Sequence, residues 1–136
     1  MTRYYILLIL FPILLSCNNE RSTKSLIVGD KGFNYWLDTS SDSVFYFDYL
    51  DKNGKWLVFV RENGIFEKHE TPYDVIRTEK WNLQDDSTII IGESSIRRLL
   101  KLTKDSMIFT GNLREEKAIF IIAPDSLIPK EYRKMQ

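Results

Sequence analysis

From residue 26 onward the apolar residues come in short runs rich in Val, Ile, Phe, Tyr and Trp, cut apart by Asn53-Gly54, Asn63-Gly64, Asp85-Asp86 and Lys104-Asp105. Runs of about four to eight residues between such pairs have the length and composition of strands joined by tight turns. Candidate strands are 33–38, 44–52, 55–61, 65–70, 75–83, 87–92, 95–103, 106–111 and 117–123, with a weaker one at Leu26-Ile27-Val28. The only helical candidate is a short turn after Pro124. The chain therefore reads as all-β. Successive hairpins closed by the strand at 117–123 suggest a small antiparallel meander barrel of eight to nine strands, because a sheet that curls on itself removes its edges. The alternative is a two-sheet β-sandwich.

The turns set an expected register. A two-residue loop at Asn53-Gly54, with positive φ at both positions, places Leu50 opposite Leu57, Tyr49 opposite Val58 and Phe47 opposite Val60. One face then collects Phe45, Phe47, Tyr49, Trp56, Val58 and Val60. A two-residue loop at Lys104-Asp105 pairs Leu102 with Met107 and Leu100 with Phe109, and alternation adds Arg98 and Ile96 to that face. At Asn63-Gly64 a two-residue loop would bring Glu67 and His69 beside Val60 and Val58. A three-residue loop, Glu62-Asn63-Gly64, pairs Val60 with Phe66 and is preferred, because an unpaired buried Glu is costly.

Ahead of the strands stands a targeting pattern. A short basic start is followed by Ile6 to Leu15, an apolar run broken by Pro12 that ends at Ser16-Cys17-Asn18. A spanning helix needs about 20 apolar residues, so this run is a signal peptide and not an anchor. Leu14-Leu15-Ser16-Cys17 resembles the lipobox of bacterial lipoproteins. The resemblance implies cleavage before Cys17, diacylation of its sulfur, and a place in a Gram-negative cell envelope, lipid-anchored to the outer membrane. Residues 1–16 are then the leader, polar residues 17–25 a flexible tether, and 26–136 the folded domain. Lys+Arg and Asp+Glu both number 19, a balance that offers no basic excess for nucleic acid.

Gly32-Phe33-Asn34-Tyr35-Trp36, Lys55-Trp56 after its Asn-Gly turn, Trp81 through Ile91, and Lys104-Asp105-Ser106-Met107-Ile108-Phe109 follow one another in a strand, polar turn, strand rhythm. Over residues 32–123 this pattern resembles the lipocalin-like domains of bacterial lipoproteins. The resemblance implies a barrel able to hold a small apolar or amphipathic ligand. In the expected register such a site is lined by Phe47, Val58, Val60, Ile96, Leu100 and Phe109, with Arg98 near its mouth. The alternative function is a protein-interaction module with a filled core: an inhibitor, an immunity-type protein or an accessory subunit.

No catalytic residues, metal ligands or cofactors are expected. The single imidazole, His69, lies among charged neighbours, and Cys17 is occupied by lipid in this reading. Asp51-Lys52-Asn53-Gly54 has the wrong spacing for a calcium loop, since the first and twelfth positions would be Tyr49 and Val60. Asp85-Asp86 and Glu115-Glu116 read as solvated turn charges and not as a glycosidase pair. Cys17→Ser is expected to abolish lipidation and release the protein from the membrane. Mass spectrometry of the mature N-terminus checks it, and an unmodified Cys17 or cleavage elsewhere refutes it.

Overall fold

Nine antiparallel strands form one curled sheet in the computed structural model, which describes residues 22–70, 78–111 and 114–134. Cys17 lies outside the described residues, as do positions 75–77 of the expected fifth strand. The strands are β1 (Phe33–Asp38), β2 (Phe45–Asp51), β3 (Trp56–Glu62), β4 (Ile65–Lys68), β5 (Trp81–Asp85), β6 (Thr88–Ile91), β7 (Ser95–Leu102), β8 (Ser106–Gly111) and β9 (Arg114–Ile122). Their order is β4-β3-β2-β1-β9-β8-β7-β6-β5, so the last strand returns to pair with the first and the free edges are β4 and β5. The result is a half-barrel meander. Its ends touch at one place: Lys55 bridges Lys80, the Trp56 N–H donates to the Glu79 carbonyl at 3.0 Å, and the Trp81 N–H donates to the Gly54 carbonyl at 2.8 Å. Lys68 and Glu79 add an ion pair across the same seam.

Leu26-Ile27-Val28 is helical and not a strand. Helix α1 (Thr23–Val28) starts inside the segment expected to be tether, where Ser22 Oγ accepts the Ser25 N–H at 3.2 Å and Thr23 Oγ1 donates to the Asp86 carbonyl at 3.0 Å. What overrides the β-branched preference for strand is burial: Ile27 and Val28 are 0% and 6% exposed, stoppering the inside of the curl. The Ile27 carbonyl accepts both the Trp36 indole N–H at 3.0 Å and the Asn34 amide at 2.9 Å, which ties the helix to β1. The turn expected after Pro124 is present as a 3-10 turn, Asp125–Leu127, followed by a second, Tyr132–Lys134.

The register differs from expectation at both Asn-Gly turns. Leu50 pairs with Trp56, Tyr49 with Leu57 and Phe47 with Phe59, which leaves Lys52-Asn53-Gly54 as a three-residue loop. Here Asp51 decides: its Oδ1 accepts the N–H groups of Asn53 and Lys55 at 2.9 and 2.8 Å, and only Gly54, at φ +84°, is left-handed. At the next turn Asn63 and Gly64 have φ of 50° and 82° and form the two-residue loop, so Val60 pairs with Glu67 and Arg61 with Phe66. Glu67 is nevertheless exposed, because β4 is an edge strand and that end of the inner face is wet.

Two apolar layers result. Inside the curl lie Trp36, Leu50, Trp81, Ile89, Ile91, Met107, Phe109 and Phe120. On the outer face of β1–β3 lie Tyr35, Leu37, Phe47, Tyr49, Leu57 and Phe59, covered by the C-terminal segment through Ile128, Leu127 and Tyr132. Arg61 fastens that segment by donating to the Leu127 carbonyl at 2.8 Å, and the Tyr35 hydroxyl donates to the Tyr132 carbonyl at 2.9 Å.

A Cβ on Gly54 would meet the Trp81 carbonyl at 3.1 Å, whereas one on Gly64 meets nothing within 4 Å. Both carry the left-handed backbone cost of about 1 kcal/mol, so Gly54→Val should destabilise by about 2 kcal/mol and Gly64→Ala by about half that. Chemical denaturation midpoints check the ordering.

Candidate functional site

Alternation along β2 turns Phe45, Phe47 and Tyr49 outward, which aims Asp48 into the curl among apolar side chains. A carboxylate there needs partners. It has two: Trp56 Nε1 donates to Oδ1 at 3.2 Å, and the Arg97 guanidinium of β7 forms an ion pair with Oδ2, the Asp48 and Arg97 side chains being 7% and 15% exposed. The guanidinium also lies 4.7 Å from the Phe109 ring centre and 5.5 Å from that of Phe120, so an aromatic wall completes its surroundings.

Arg97, and not Arg98, is the inward arginine. Leu102 pairs with Met107 as expected, but the register shifts between Leu99 and Lys101, so Leu99 takes the place opposite Phe109 that was expected of Leu100. The extra residue is a β-bulge, and beyond it every side chain changes face. Ile96, Arg98 and Leu100 are exposed on the outside, while Arg97 and Leu99 turn in. The expected ligand-binding set is thereby split: Phe109 lines the inside, Val58 and Val60 are half-buried on the inner side of β3, Phe47 is fully buried on the outer side, and Ile96, Arg98 and Leu100 face solvent. These seven side chains do not surround one cavity. Inside the curl Trp36, Leu50, Ile89 and Met107 have no exposed surface. The signal for Arg97 was available in the lone acid of Phe45-Tyr46-Phe47-Asp48-Tyr49-Leu50, which required a cation from another strand.

The groups considered for chemistry have structural employment. The His69 ring stands edge-on to Tyr46 at 5.8 Å and its backbone N–H continues the β3–β4 pairing by donating to the Val58 carbonyl at 2.8 Å. Asp85 accepts the Ser87 N–H at 2.8 Å and the Ser87 hydroxyl at 3.0 Å, bonds that hold its carboxyl below the usual range and close a turn. Glu116 is exposed. Among the described residues no three His, Cys, Asp or Glu side chains gather as a metal set.

The outside offers two features of different kind. The outer face of β7–β9 carries Leu100 (49% exposed), Ile119 (46%), Ile96 and Ile121, with Ile108 paired to Ile119, and among the described residues none covers them as the C-terminal segment covers β1–β3. The charged side chains described on that face, Arg98, Lys101 and Lys117, are basic. The second is a groove of about 830 Å³ at the start of β1, between the β2–β3 turn and the last 3-10 turn. Tyr49 lines it, and burial, followed by the charge of Asp51, raises the Tyr49 phenol above its ordinary range, so it remains neutral. No protein-family model matches the chain, and no curated protein or solved structure matches it.

Removing one partner of a buried ion pair leaves the other uncompensated, so Arg97→Ala should destabilise the domain by about 3 kcal/mol while Arg98→Ala stays within about 0.5 kcal/mol. Denaturant unfolding of both variants checks this, and a larger loss in Arg98→Ala would overturn the bulge assignment.

Proposed function

We propose that this protein is a lipid-anchored envelope lipoprotein that works as a protein-interaction module, through the outer face of β7–β9 and without catalysis. The observation that carries the reading is the strip of Ile96, Leu100, Ile119 and Ile121, exposed on a β-sheet face whose described charged side chains, Arg98, Lys101 and Lys117, are basic. Covering apolar surface gains about 25 cal/mol per Å², and a stable interface needs about 800 Å² from each partner. Three strands present the convex outer side of the curl for that. The basic rim selects a partner whose own apolar patch is ringed by carboxylates, and it speeds the encounter of the two.

A ligand inside the barrel is the second reading, and the packing weighs against it. Asp48 and Arg97 meet across the interior, and α1 occupies the space beside them. A ligand entering there would displace the helix or part an ion pair. Lipidation at Cys17 keeps either activity at a membrane surface, and a nearby membrane protein is the natural source of the partner.

A photoreactive residue placed at Ile119 in the envelope should give one discrete cross-linked adduct that disappears with Arg98→Glu plus Lys117→Glu. The same residue at Glu62 should give none. No adduct from position 119, together with saturable uptake of a fluorescent fatty acid, would return the function to the interior.

A further inference from the structure

The groove beside β1 lies away from the β7–β9 face and gathers charge in a way that the whole chain does not. Lys31, Lys52, Arg133 and Lys134 line it, drawn from the loop before β1, the β2–β3 turn and the last 3-10 turn, while the chain as a whole has 19 basic and 19 acidic side chains. One carboxylate lines it as well, but Asp51 is 7% exposed and its Oδ1 is taken by two backbone N–H groups. Lys31, Lys52 and Lys134 form no ion pair among the described residues.

The fold holds two of these cations, Lys52 and Arg133, in place. Gly32, at φ +80°, leaves room for the stem of Lys52, whose Cδ lies 3.1 Å from where a Cβ would stand, and the Lys52 N–H donates to the Gly32 carbonyl at 2.8 Å. Arg133 is fixed by donating Nε to the Ile128 carbonyl at 2.8 Å and Nη2 to the Asp125 carbonyl, which leaves guanidinium N–H groups over. The apolar wall is the partly exposed Phe33 ring, backed by the buried Tyr49 ring 5.6 Å away and tilted by 33°.

We propose that this groove binds a phosphate group carried on an apolar body, the cations holding the phosphate and the partly exposed Phe33 ring receiving the neighbouring apolar part. A single carboxylate is matched by one arginine fork, whereas four cations suit an ion with more charge and more acceptor oxygens. The phosphate can come from a phospholipid headgroup, which the lipid anchor would bring within reach, or from a soluble phosphate compound. The shared chemistry makes binding fall as salt rises.

The test uses the full chain in a nonionic detergent, titrated separately with inorganic pyrophosphate, dihexanoyl phosphatidylglycerol and zwitterionic dihexanoyl phosphatidylcholine, and followed through the amide resonances of Gly32 and Asn53. At least one anionic probe should give saturable shifts, and phosphatidylcholine should bind at least tenfold more weakly. Lys52→Glu plus Lys134→Glu should weaken binding at least tenfold, and the milder Lys31→Gln should weaken it measurably if the double variant fails to fold. Lys80→Glu plus Lys104→Glu, the same charge change elsewhere, should leave it unchanged. Binding of pyrophosphate alone assigns a soluble ligand, binding of phosphatidylglycerol alone a lipid headgroup, and binding of both the phosphate as such. No shifts with either anion, equal binding of phosphatidylcholine, or equal losses in the two double variants would overturn the proposal.

Discussion

The ion pair between Asp48 and Arg97 is the constraint from which most of the architecture follows. The two residues are 49 positions apart and belong to β2 and β7, strands on opposite sides of the β1–β9 seam. Bringing both inside is costly unless they meet, and their meeting fixes which way each strand faces. With Asp48 inward, Phe47 and Tyr49 must point outward, and a sheet face bearing Phe47, Tyr49, Leu57 and Phe59 cannot be left in water. The C-terminal segment is the remedy, laying Ile128, Leu127 and Tyr132 over those rings.

The same pair explains the irregularity in β7. Leu102 and Leu99 both pack on the interior, three residues apart, which a regular strand cannot arrange because alternation repeats every second residue. The bulge at Leu100 absorbs the difference and lets Arg97, Leu99 and Leu102 all point inward. Its cost is borne on the outside, where Ile96, Leu100 and their neighbours on β9 are left exposed. The aliphatic strip that carries the proposed interaction is thus the outer counterpart of the packing that fills the interior.

The interior of the half-barrel is taken up by α1, three indoles and an ion pair. All three tryptophans turn inward with their N–H groups satisfied, by Ile27, Asp48 and Asp51 respectively for Trp36, Trp56 and Trp81. Aromatic side chains serve here mainly as packing. The charge distribution adds a second layer, because an evenly balanced chain places lysines and arginines together at the groove and along β7–β9. Both surfaces are basic, but one is convex and aliphatic and the other concave and lined by Phe33, so they differ in shape and chemistry.

Short β-rich runs and their turn pairs were enough, in the sequence, to determine an all-β antiparallel meander and the place of nearly every strand, because those signals are local. They were not enough to say which face of each strand is inside. Alternation distinguishes faces only when one is polar, and in Phe45-Tyr46-Phe47-Asp48-Tyr49-Leu50 and Trp56-Leu57-Val58-Phe59-Val60 both faces are apolar but for Asp48. A single residue in loop length then reverses a whole strand, as it did at Lys52-Asn53-Gly54, where the carboxylate of Asp51 lengthened the loop. The bulge at Leu100 did the same to Arg97 and Arg98, and it turns Arg97 toward Asp48 of a distant strand. Strand position is a property of neighbouring residues. Strand facing, and with it the filled interior, the exposed strip and the basic groove, was decided by contacts between elements far apart in the chain.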